Sequence, residues 1–312
     1  MFSVLPSFYP IGKYFPELGL SVSHYFLFWR NIMSDSVLNT YFKHALVKAG
    51  FPDTLNIEYS LNHCQGDGVA FYGRLGTDDL IQLFNHLNPQ KRKQKMFANL
   101  LTHIESWETH DDIGFEIIRN RFGYRYSHWN TMELYAKTAD QLVFFNDSDA
   151  RRNWYFPTSK VYKYKGLWDE FIQDLEQYIK GTSRELETNG YQIIDASPYQ
   201  TETVFKFNTE NYLVELKRKP SEFYSEPVDW VFGDVCDFKT SIEELLQGKV
   251  YYADFEAIVT DKESGIQLGF DSISGLSYSP NDRTFSGYRQ ELIGNAIASA
   301  RSNAARFAYL HA

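Results

Sequence analysis

The segment His63-Cys64-Gln65-Gly66-Asp67-Gly68 places an imidazole, a thiol, an amide and a carboxylate on one short stretch. A thiol beside a base is what a cysteine hydrolase requires: the thiolate attacks, the imidazole takes its proton and a carboxylate orients the ring. Here Cys64 would be the nucleophile, His128 or His63 the base, and Asp67 the orienter. Neither a nucleophile elbow nor a helix start follows Cys64, so nothing local lowers the thiol pKa. The plainer reading is structural. Gly66 and Gly68 permit the backbone angles of a tight connection, while Gln65 and Asp67 bond nearby amides. Gln65, Gly66, Asp67 and Gly68 are therefore read as a hairpin motif, and no residue is assigned to catalysis.

Two further chemistries are weaker. Glu215-Leu216-Lys217, with Asp195 or Asp254, would supply the acidic-x-Lys set of a metal-dependent nuclease. A pair that short arises by chance in most chains of this length. His103 and His110, with Asp111 and Asp112, suggest a metal site, but seven helical residues separate the imidazoles by about 10 Å along the axis. Gly66-x-Gly68 lacks the rest of any phosphate-loop pattern. No metal or other cofactor is expected. Cys64 and Cys236 form neither a disulfide framework nor a zinc pattern, which fits a reducing cytoplasm.

The surrounding elements follow from periodicity. Leu55, Ile57, Tyr59 and Leu61 alternate with polar residues, and Val69, Phe71 and Leu75 form the antiparallel partner. Val37 to Lys48 reads as a helix capped by Ser36 and stopped by Gly50. Thr77 caps a second helix. Asn88-Pro89 opens a third, whose Lys91, Arg92, Lys93 and Lys95 read as a solvated start. Phe115 to Phe122 and Tyr124 to Lys137 form a second hairpin, and Arg151 to Tyr164 an aromatic connector. Gly166 to Leu186 is an amphipathic helix with Asp169, Glu170, Asp174 and Glu176 on its outer face, bent or ended at Gly181.

A composition shift over Asn189 to Pro198 marks a boundary. Beyond it, Val204 to Phe207, Tyr212 to Lys217, Lys249 to Thr260 and Ile266 to Ile273 read as strands. Ser241 to Leu246 reads as a short capped helix and Gly287 to Leu310 as a long closing one. There is no βαβ rhythm. The expected fold is α+β in two modules, each an antiparallel sheet covered on one face by helices. The division is 1–32 as an N-terminal extension, 33–190 as the hairpin module and 191–312 as the second.

The run YSLNHCQGDGVAFYG, with Gly123-Tyr124-Arg125-Tyr126-Ser127-His128 further on, resembles an uncharacterised family carried by phages, prophages and plasmids. Some members of that family are labelled antitoxin-like. Ser127 and Trp129-Asn130 depart from its pattern, and the likeness spans roughly Leu55 to Tyr191. FNTENYLVEL, Gly275-Leu276-Ser277-Tyr278 and the Ala-rich closing helix are more faintly similar to a second phage and plasmid module.

At 312 residues, 43% of them apolar, the chain can fill two cores. Its net charge of −9 argues against a sequence-independent nucleic-acid binder and toward a basic protein partner. An aromatic share of 17% supplies rigid side chains for contact surfaces. Phe8 to Trp29 is broken by Pro10, Lys13, Pro16, Glu17 and His24, so no membrane span or signal peptide is expected there. The resulting expectation is a non-enzymatic interaction protein in a bacterial cytoplasm, inhibiting a host defence complex in the manner of an anti-CRISPR. Asp169, Glu170, Asp174, Glu176, Tyr126, His128 and Trp129 are its candidate contacts. An antitoxin-like partner of a toxin and the cysteine hydrolase are the alternatives.

Overall fold

A computed structural model describes residues 35–63, 66–105, 115–119, 132–142, 144–146, 153–154, 156–232 and 235–310. Residues 1–32, Cys64, Gln65, His110, Asp111, Asp112, Tyr126, His128 and Trp129 lie outside these.

The first module begins with α1 (Val37–Lys48). Ser36 caps it as expected, its Oγ accepting from the Asn39 amide at 3.2 Å. Gly50, at φ +87°, turns the chain back so that Phe51 N donates to Leu46 O at 3.0 Å. Next come β1 (Asn56–Ser60), β2 (Gly68–Arg74), α2 (Thr77–Leu87) and α3 (Lys91–Glu105). The cap of α2 is Gly76, one residue before the expected Thr77; Asp79 Oδ2 accepts from the Gly76 amide at 2.7 Å. Strands β3 (Glu116–Arg119) and β4 (Met132–Tyr135) complete an antiparallel sheet of order β1-β2-β3-β4. The registers Ile57↔Phe71 and Tyr59↔Val69 realise the first hairpin. Ala70 was expected on a polar face, yet it is fully buried between Val69 and Phe71. As an inner strand packed against helices, β2 reads apolar on both sides.

Two short strands, β5 (Phe145–Asn146) and β6 (Asn153–Trp154), pair ahead of α4 (Thr158–Asp195). At 38 residues α4 is far longer than its periodic core suggested. It takes in part of the expected connector and runs through both Gly166 and Gly181. A glycine costs a helix about 1 kcal/mol relative to alanine. That cost loses to a continuous buried stripe: Trp168, Phe171, Leu175, Ile179, Leu186 and Ile193 all lie at helical spacing. The stripe covers β2 and β4.

The second module is the antiparallel sheet β10-β9-β8-β7, formed by β7 (Glu202–Asn208), β8 (Tyr212–Lys219), β9 (Tyr251–Asp261) and β10 (Gln267–Tyr278). Helix α7 (Tyr288–Leu310) covers one face. Val214, Leu216, Phe255, Ala257, Leu292 and Ala296 belong to its core. The fold is thus α+β with two separate antiparallel sheets. Among the described residues, no helix is long and apolar enough to cross a membrane.

The cut at residue 190 separates the sheets but not the packing. Between β8 and β9, α5 (Val228–Phe232) and α6 (Val235–Leu246) leave the second sheet, and Phe223, Val228, Phe238 and Ile242 bury themselves in the first core. Val37 N donates to Glu226 O at 3.0 Å, and Val228 N to Asp35 O at 3.2 Å. Ser241, expected as a cap, is interior to α6 and hydrogen-bonds the Tyr252 hydroxyl.

Tyr252 is the rivet of this junction. It sits on β9, stacks on Phe223 at 4.2 Å, and its amide donates to Ala196 O at 2.9 Å. Burial, with the Glu244 carboxylate adding to it, pushes its phenol up to about 12 from 10.0. Folding thus favours the protonated phenol; that stability is whole below pH 10 and is lost as pH climbs toward 12. The loss should be on the order of 2 kcal/mol. Tyr252→Phe should flatten that alkaline limb, read as urea midpoints across the alkaline range.

Candidate functional site

The hairpin motif does not stand alone in the fold; it is pressed against the last turns of α4. Ser183 Oγ donates to Val69 O, satisfying a buried strand carbonyl. One turn on, the Glu187 carboxylate lies over Gly68, where a Cβ would meet it at 2.7 Å. Gly190 lets the helix touch Leu61 and Phe42; a Cβ there would lie 2.6 Å from the first and 3.0 Å from the second. The Tyr191 hydroxyl reaches Asn62 O at 3.4 Å. Asp195 Oδ1 lies 2.8 Å from His63 Nε2.

Gly66 and Gly68 are required for different reasons. At Gly66 the obstacle is space, since a Cβ would come within 2.2 Å of the Tyr191 hydroxyl and 2.7 Å of Asn62 backbone atoms. At Gly68 it is also conformation, φ being +83°. Gly68→Ala should cost about 2 kcal/mol by urea unfolding, part from φ and part from the carboxylate clash. Adding Glu187→Ala should return the clash part alone. A Gly68→Ala variant as stable as the parent would contradict this docking.

The resulting surface is rich in rings and carboxylates. The His63 ring lies 5.2 Å from Tyr191 and 6.1 Å from Tyr199. Tyr199 is 81% exposed, while His63 and Asp195 are each about half open to solvent. Burial holds the Glu187 carboxyl above its usual range, opposed by Arg184. The Tyr191 phenol is also raised, by burial first, with Glu187, Asp195 and Asp67 adding repulsion. Asp67 thus contributes to this acidic rim, and the carboxylate that bonds the imidazole is Asp195.

The other candidates are dispersed. Three carboxylates of the acidic helix serve the fold: Asp169 accepts from the Ala139 amide at 3.2 Å, Glu170 from Lys93 at 2.7 Å and Glu176 from Lys180 at 2.7 Å. Asp174 lines an open groove with Leu87, Gln177 and Tyr178. The basic cluster accordingly gives Lys93 to α4, while Lys91, Arg92 and Lys95 border a shallow hollow with Tyr164. The nuclease set is split. Glu215 and Lys217 pair at 3.7 Å on β8, Asp254 Oδ1 accepts from the Gly275 amide at 2.8 Å, and Asp195 is at the hairpin. His103 packs edge-on against Phe156. Among the described residues, no group of three or more His, Cys, Asp or Glu side chains is placed to hold a metal ion.

Glu187, Tyr191 and Tyr199 were not singled out from the sequence. A signal was present: Glu187, Tyr191 and Asp195 recur every four residues, which places them on one helical face. No family model matches the chain, and neither does any curated protein or solved structure.

Proposed function

We propose that the chain is a protein-binding protein whose contact surface is the ring-and-carboxylate patch where the hairpin meets the end of α4. One observation carries the reading. Tyr199 and His63 lie open beside Tyr191, rimmed by the carboxylates of Asp195, Glu187 and Asp67. Exposed tyrosines give large contact area at small entropic cost, and a carboxylate rim suits a cationic partner. This moves the centre of the expected contact from the acidic helix, whose carboxylates are largely engaged, to the hairpin. The phage and plasmid resemblance makes a nucleic-acid-handling host defence complex, inhibited by occupation of its basic surface, the target of choice.

The test compares proteins captured from phage-infected or plasmid-bearing cells by the parent and by a Tyr199→Ala, Asp195→Asn variant with unchanged circular dichroism. Basic, nucleic-acid-handling proteins should be retained by the parent and lost by the variant. Capture of the same set by both would overturn the assignment. A co-captured toxin would make the protein an antitoxin acting through the same patch.

The hydrolase reading keeps one point in its favour, that His63 bonded to Asp195 directly precedes Cys64. A base-activated thiol alkylates with a midpoint well below the ordinary thiol pKa. The binding reading expects the ordinary midpoint for Cys64.

A further inference from the structure

On the far side of α4 from the sheet edge, α1, α6 and the end of α2 enclose a cleft of about 350 Å³. Its apolar wall is made by Ala45, Leu186, Phe238 and Ile242. The polar groups are sorted by charge. Lys48 and Lys239 enter from α1 and α6 beside His44; Glu185 enters from α4 beside Tyr41 and Tyr178. Glu243 and His86 complete the titratable lining. Among the described residues, Lys48, Lys239, Glu185 and Glu243 have no ion-pair partner, although opposite charges share the cleft.

The separation is visible in the neighbouring groups. Burial depresses the His44 imidazole, and Lys239 and Lys48 depress it further, outweighing Glu243. At the other end, Tyr41 and Tyr178 are raised, chiefly by burial, with Glu185 adding to both. Their hydroxyls are already fixed: Asn189 donates to Tyr41 at 2.7 Å, and Tyr178 donates to Ala49 O at 2.9 Å. The cleft therefore has a cationic end, an apolar middle and an anionic end, with the polar wall held in place by hydrogen bonds. Such preorganised, partly apolar concavities with a few convergent polar groups are where small ligands bind.

We propose that this cleft binds a small zwitterion with an apolar body, its carboxylate between Lys48 and Lys239, its ammonium at Glu185 and its body against Ala45, Leu186 and Ile242. The site lies on a different surface from the hairpin patch and does not depend on that patch binding a partner.

The experiment titrates the full chain with para-aminomethylbenzoate, benzoate and benzylamine, following His44 ring signals by nuclear magnetic resonance and affinity by calorimetry. The zwitterion should saturate the site and bind more tightly than either singly charged analogue. Lys48→Gln with Lys239→Gln should weaken the zwitterion and benzoate roughly tenfold and leave benzylamine nearly unchanged. Glu185→Gln should do the reverse. All three side chains are exposed, so the fold should survive, as circular dichroism would verify. Absence of a saturable His44 shift, or affinities unmoved by these variants, would overturn the proposal.

Discussion

Gly269→Ala is expected to lift the closing helix from the second sheet and to cost about 3 kcal/mol, the upper end of the range for overpacking a core. Gly269 lies on β10 where α7 crosses it. An added Cβ would stand 2.1 Å from the Ala296 carbonyl oxygen and 2.8 Å from Ala300 atoms. The first obstacle is backbone, so no rotamer change relieves it; the helix must shift. The crossing is pinned on both sides, because Asn303 Nδ2 donates to Leu268 O at 2.8 Å and Asn295 Nδ2 to Asp271 Oδ2 at 3.1 Å. Movement therefore sacrifices those bonds and uncovers Phe255 and Ala257.

Gly294, inside α7, supplies the control. A Cβ there meets nothing within 4 Å. Gly294→Ala should raise stability by about 0.5–1 kcal/mol through helix propensity. Urea unfolding of both variants reads the contrast. A Gly269→Ala loss below about 1 kcal/mol would mean that the helix does not approach the sheet this closely.

Trp168→Ala should have the largest effect in the first module, about 4 kcal/mol. The indole is fully buried on α4. Phe97 lies 6.3 Å from it in near-parallel stacking and Phe115 meets it edge-on at 5.2 Å; Phe97 in turn stacks on Phe84 at 4.1 Å. Alanine leaves a cavity among rigid rings that cannot collapse into it. It also strands the Lys137 carbonyl, which accepts from Trp168 Nε1 at 2.8 Å. Trp168→Phe keeps most of the volume and loses the donor, so it should fall at about half that cost. Equal unfolding midpoints for Trp168→Phe and Trp168→Ala would show that the hydrogen bond, not the packing, dominates.

The two experiments probe different legibility. Trp168 and its stripe were readable in advance because the 3.6-residue period persists whatever the helix packs against. Gly269 was readable only as a strand residue. Its need for an absent side chain comes from a helix some thirty positions later in the chain. The same division runs through the site. Gly66 and Gly68 were recognised as shaping a connection, yet the surface opposing Gly68 is Glu187, and the imidazole's carboxylate is Asp195, 132 residues from His63. The acidic face of α4 was legible as a pattern. Its pairing with Lys93, Lys180 and the Ala139 amide was not, because pattern records which way a residue points and not what stands there.

Local rules thus settled most strands and helices, the antiparallel hairpins and the α+β class, since periodicity and turn chemistry act within a few residues. Packing settled the rest: α4 runs through two glycines because its apolar stripe outweighs their cost, and α5 and α6 join the first core although the chain presents them between strands of the second sheet. It also brought His63, Tyr191, Tyr199 and Asp195 to one surface. These outcomes depend on contacts between distant segments, whose energies exceed local preferences and leave only faint traces in the order of residues.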